Sequence, residues 1–69
     1  MNEIIFLVEE DIEGGYIAKA LGESIITQGD TLEELKKNVK DAVNCHFEDD
    51  KKPKLIRLHI VKEEVLPNV

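Results

Sequence analysis

The sequence predicts a small α+β domain with element order β-β-β-α-β, a mixed four-stranded sheet in order 3-2-1-4 and one helix on one face. Three observations carry this prediction. Ile4-Ile5-Phe6-Leu7-Val8 is an unbroken apolar run of strand length. Gly14-Gly15 and Gly22-Glu23 punctuate the chain where hairpins would turn. Beyond Gly29, apolar residues change to helical spacing behind a capping signature.

The first strand is the run Ile4 to Val8, bounded by Glu3 and by Glu9-Glu10-Asp11. Its length, flanks and branched or aromatic composition suit a strand buried on both faces. Glu10 to Gly15 reads as a hairpin loop, because Gly14 and Gly15 adopt positive φ without a Cβ clash. Tyr16 to Leu21 returns as a second strand, and Ser24 to Gln28 as a third, antiparallel to the second. Gly29 ends it. Thr31-Leu32-Glu33-Glu34 then matches a capping box, with the threonine hydroxyl accepting from an early helix N–H and Glu34 reaching back. Asp30, Glu33 and Glu34 complement the positive end of the helix dipole. Leu32, Leu35, Val39, Ala42, Val43 and Phe47 form one stripe, so a helix is predicted over about residues 31–48. Glu48 to Pro53 is a charged loop, and Leu55 to Val61 a fourth strand with Ile56, Leu58 and Ile60 on one face. Residues 1–62 make the domain and 63–69 a frayed tail containing Pro67.

Connections set the order. Strands one to three meander, and a helical crossover then returns strand four parallel to strand one. One helix shelters one sheet face only. Ile4, Phe6 and Val8 point one way, and Ile5 and Leu7 the other. Each large apolar side chain left in water forgoes about 1.5–3 kcal/mol of burial. A second chain is therefore expected to cover the open face or pair with an edge strand. The alternative cover is the tail itself, through Val65, Leu66 and Val69.

Composition narrows the function classes. The chain has 69 residues, and at this size a domain buries only about 60% of its unfolded surface. Cys45 is the only cysteine, so no disulfide reinforces the core, and a single thiol suits a reducing cytoplasm. Oligomerisation, to a dimer or tetramer, is the expected source of extra stability. Nine basic and 15 acidic residues give a net charge of −6, which repels phosphate backbones and attracts basic proteins. Met1-Asn2-Glu3 lacks the positive region of a secretion signal, and the run Ile4 to Val8 is far shorter than a membrane span.

No catalytic, cofactor or metal constellation stands out. Cys45, His46 and Asp49 are near in sequence, but adjacent helix positions diverge too far for one compact site. His46 instead suits the negative end of the helix dipole. His59, beside Arg57 on the fourth strand, lacks the partner a general base needs. Gly14-Gly15 is no phosphate loop, since no helix follows it. Glu9, Glu10, Asp11 and Glu13 sit in a turn and read as a solvated patch that a basic partner could use for docking.

The hairpin Gly14-Gly15-Tyr16-Ile17-Ala18 and the run Thr27-Gln28-Gly29-Asp30-Thr31-Leu32-Glu33-Glu34 resemble the HicB antitoxin family, over roughly residues 3–48. The resemblance implies a truncated ribonuclease H-like domain without that enzyme's catalytic centre. It implies homo-oligomers that bind and block HicA, a small basic toxin ribonuclease. Many members add a C-terminal DNA-binding module; with this sequence ending at Val69, direct nucleic-acid binding is not expected. Ala20 to Ser24 is also shorter than the family's usual segment between strands two and three. Under this reading Glu9, Glu10, Asp11, Glu13, Ile5 and Leu7 are partner-binding candidates. Gly14, Gly15, Tyr16, Gly29, Asp30, Thr31 and Glu34 form the structural motif. The alternative is a stand-alone homo-oligomer with a ligand-binding or structural role and no toxin partner. A vestigial nuclease is a remote third.

Overall fold

The computed structural model describes residues 2–68. Its elements are β1 (Glu3–Glu10), β2 (Tyr16–Ala20), β3 (Ile26–Gly29), α1 (Leu32–His46), a short 3-10 turn (Asp49–Lys51) and β4 (Leu55–Ile60). The strands form one sheet in the order β3-β2-β1-β4. β1–β2 and β2–β3 pair antiparallel, while β1 and β4 pair parallel. The predicted α+β fold and strand order are those observed.

Register assigns the faces, because side chains alternate along a strand and cross-strand partners share a side. Phe6 lies opposite Ala20 and Leu58, and Val8 opposite Ala18 and Ile60. These residues and Ile4 face α1. Its stripe of Leu35, Val39 and Val43 completes a core in which Phe6, Val8, Ala18 and Leu35 are fully enclosed. Leu32, Ala42 and Phe47 pack at its margin, as their spacing predicts.

The helix starts where the capping residues place it. Thr31 is extended (φ −126°, ψ 163°) and its hydroxyl accepts from the Glu34 N–H at 3.1 Å. This satisfies one of the helix's unpaired first-turn donors. The helix is shorter than the predicted 31–48. Phe47 turns extended (φ −104°, ψ 147°), its N–H closing on the Val43 carbonyl at 3.2 Å, and its ring packs at the core margin. With that ring held on the core side, the helix ends about two residues early.

β3 is also displaced from its predicted span, running Ile26–Gly29 rather than Ser24 to Gln28. The turn after Ala20 explains the shift. Ile25 accepts a hydrogen bond from the Ala20 N–H at 2.9 Å and buries its side chain in the core at 5% exposure before regular pairing resumes. β2 and β4 each stop one residue short of prediction, at Ala20 and Ile60.

Candidate functional site

The first hairpin is built as its glycines suggest. Asp11 organises it: its N–H donates to the Gly15 carbonyl, its carbonyl accepts from Gly14, and its carboxylate accepts from the Glu13 N–H at 3.1 Å. Gly14 and Gly15 have φ of +103° and +80°, in the region side chains avoid. Register brings Tyr16 opposite Gly29, so this hairpin meets the β3–α1 junction.

That junction is tighter than the sequence announces. A Cβ on Gly29 would sit 2.5 Å from the Leu35 nitrogen and 2.8 Å from its Cα. One on Gly15 would lie 2.8 Å from the Gly29 carbonyl oxygen. The first turn of α1 therefore rests directly on bare backbone. Asn38 adds a hydrogen bond to the Gln28 carbonyl at 2.7 Å. Gly14, Gly15, Tyr16, Gly29, Asp30, Thr31 and Glu34 are thus gathered at one end of the domain, as a scaffold. A polar cleft of about 280 Å³ there is lined by Asp11, Glu13, Gly14, Tyr16, Gln28, Gly29 and Asp30. Among the described residues no group of three or more His, Cys, Asp or Glu is placed to hold a metal ion.

The side of the sheet away from α1 is the larger feature. Ile5 and Leu7 on β1 are half-buried in the single chain, whose one helix lies on the other face. Their neighbours on that side follow from register. One row runs Ile26, Lys19, Leu7, His59, and another runs Leu21, Ile5, Arg57, closed by the Leu21 N–H to Ile5 carbonyl bond. Ile17 and Gln28 extend the face toward Glu9. Ile26 is 70% exposed, Leu55 61% and Leu21 57%. Glu3 pairs with Arg57 at one margin; this hydrogen-bonded carboxylate holds the guanidinium above its ordinary pKa. The surface is an apolar centre crossed by a few charges.

The tail does not cover it. Val65 and Leu66 are 84% and 80% exposed, and the third candidate, Val69, lies outside the described residues. Residues 61–68 have no regular structure. Glu9, Glu10 and Glu13 are exposed at the β1–β2 end; Glu9 shares the Ile5–Leu7 face opposite Ile17, Glu10 alternates to the α1 side, and Asp11 and Glu13 line the cleft beside Tyr16.

The histidines stand apart. His46 lies 3.4 Å from Glu23, edge-on to Phe47. It therefore ties the helix end to the β2–β3 turn, a cross-link that sequence spacing did not reveal. His59 is exposed on the open face opposite Leu7. Cys45 is exposed and unpaired. Among the described residues no helix is long and apolar enough to cross a membrane.

No family model and no solved structure matches this chain. Two curated proteins do. One is a UPF0150 protein of Archaeoglobus fulgidus, 64% identical over 55 residues, covering 80% of this chain and 82% of the relative. Another is a UPF0150 protein of Thermotoga maritima, 51% identical over 62 residues, covering 90% of this chain and 87% of the relative. At that identity, over most of each relative's length, the chain belongs to the UPF0150 protein family.

Proposed function

We propose that this chain is a non-catalytic, cytoplasmic, HicB-like antitoxin domain that assembles with itself and neutralises a small basic toxin ribonuclease. The observation that carries the reading is the apolar open face of Ile5, Leu7, Ile17 and Ile26 lying beside the acidic Glu9–Glu13 hairpin. Such a face gains free energy from burial against a second chain. The neighbouring carboxylates would steer a basic partner and fix its orientation more than they would add affinity. Blocking a ribonuclease requires no chemistry of the antitoxin, only a surface that occludes the enzyme. The two histidines stand apart, His46 beside Glu23 at the helix end and His59 on the open face opposite Leu7.

Co-expression with the polypeptide encoded in the adjacent reading frame tests this. A short basic neighbour should co-elute with this chain on gel filtration, and its RNA cleavage should fall when the chain is added. A neighbour that fails to bind, or cleaves RNA undiminished in the complex, contradicts the proposal.

One observation favours the second reading, a homo-oligomer without a toxin. Lys19, Arg57 and His59 stand on the open face with Glu3 and Glu9 at its margins. That mixed pattern suits a self-complementary surface better than a uniformly acidic one would. This reading predicts a stable oligomer indifferent to the neighbouring gene product.

A further inference from the structure

The helix layer is incomplete as well. α1 lies over β2 and β3, and a groove of about 290 Å³ separates it from β4. Val39, Ile56 and Leu58 form its apolar lining, and Lys36 and Lys40 its rim. The two lysines are one helical turn apart, about 6 Å, on the same side of α1. Ile60 continues the strand's apolar side at 39% exposure.

The segment that follows β4 has the complementary character. Glu63 and Glu64 precede Val65 and Leu66, and all four are exposed. We propose that residues 62–66 of one copy seat in the α1–β4 groove of a second copy. Leu66 would lie against Ile56 and Leu58, with Glu64, on the same side of the extended segment, facing Lys36 and Lys40. The proposal concerns contact between copies and does not depend on a toxin partner.

Three arguments select this occupant. Opposite charges meet across the rim while apolar residues meet at the floor. Length agrees too: five extended residues span about 16 Å, and the β4 side from Ile56 to Ile60 about 13 Å. Direction excludes the segment's own groove. The Val61 N–H bonds the Val8 carbonyl at 2.9 Å, which carries the chain onward past the end of β4. To reach Ile56 it would have to reverse within Lys62-Glu63-Glu64, which offers none of the residues that favour tight turns. A second copy delivers the same segment with no reversal. Reciprocal exchange then closes a two-fold dimer.

Cross-linking between two pools of the full chain tests this, each carrying Cys45→Ser to remove the exposed native thiol. One pool carries Leu66→Cys and the other Lys40→Cys, both at exposed positions. After mixing and oxidation, the mixed disulfide dimer should exceed by at least tenfold that formed when Leu66→Cys is paired with the distant Glu13→Cys. Yield no higher than that control, or ring closure within one chain in a Lys40→Cys/Leu66→Cys double variant, overturns the proposal. A charge exchange gives a second reading. In the Leu66→Cys pool with native Glu64, Lys36→Glu on the Lys40→Cys partner should lower the yield several-fold. Adding Glu64→Lys to the Leu66→Cys pool should restore it. Failure of that rescue, with circular dichroism showing folded chains, also overturns the proposal.

Discussion

Replacing Gly29 with alanine should be among the most damaging single-methyl changes this domain can receive. The added Cβ would meet the Leu35 nitrogen at 2.5 Å, its Cα at 2.8 Å and the Glu34 carbonyl carbon at 3.1 Å. All three are backbone atoms inside the helix, so no rotamer change relieves them. α1 must move away from β3, and Leu35 and Val39, both essentially enclosed, move with it. Overpacking of this kind costs about 1–3 kcal/mol, and the rigid neighbours place this case near the upper end. For a domain of this size each kcal/mol lowers Tm by roughly 4–8 °C, so a fall of about 10–20 °C is expected. Thermal unfolding followed by far-UV circular dichroism measures it, at fixed protein concentration because association would shift Tm. Gly14→Ala is the control: a Cβ there meets nothing within 4 Å, leaving only the strain of φ +103°. A Gly29→Ala protein melting within about 2 °C of the wild type would refute the close-approach argument.

Other outcomes follow from the same packing. Phe6→Ala empties the centre of a core where Phe6 is 0% exposed, costing about 3–5 kcal/mol, and should leave the chain largely unfolded at 37 °C by circular dichroism. Thr31→Ala removes the acceptor for the Glu34 N–H and should cost about 1 kcal/mol, with Thr31→Ser recovering most of the lost Tm. Ile26→Glu, at a site 70% exposed on the open face, should leave helix content unchanged while weakening association at least several-fold in sedimentation velocity. Glu9→Lys with Glu10→Lys should slow binding of a basic partner several-fold by stopped-flow, with an effect that fades as salt rises.

Most of the architecture is legible in the sequence because each element carries its own local signature. The run Ile4 to Val8, the glycine pair and the Thr31–Glu34 cap each act within a few residues, and a parallel crossover leaves few topologies open. Boundaries were less legible where tertiary packing overrides local pattern. Ile25 enters the core from a turn rather than a strand, and Phe47 ends α1 early by turning its ring inward. Gly29 reads locally as a strand terminator, whereas its role at the helix contact depends on residue 35, which no local window weighs. The His46–Glu23 pair and the α1–β4 groove likewise depend on where whole elements come to rest. For the candidate site, alternation along β1 foretold the division between Ile4, Phe6, Val8 and Ile5, Leu7. What it could not convey was the charge pattern on the open side, because Lys19, Arg57 and His59 reach it from two different strands.

Apolar surface left on both layers is expected to make this chain incomplete as a lone subunit. Sedimentation equilibrium of the purified chain, from about 1 µM to about 1 mM, tests it most directly. The predicted result is a species of at least twice the 7.8 kDa chain mass across the upper part of that range. A folded 7.8 kDa monomer persisting at the highest concentration would contradict it.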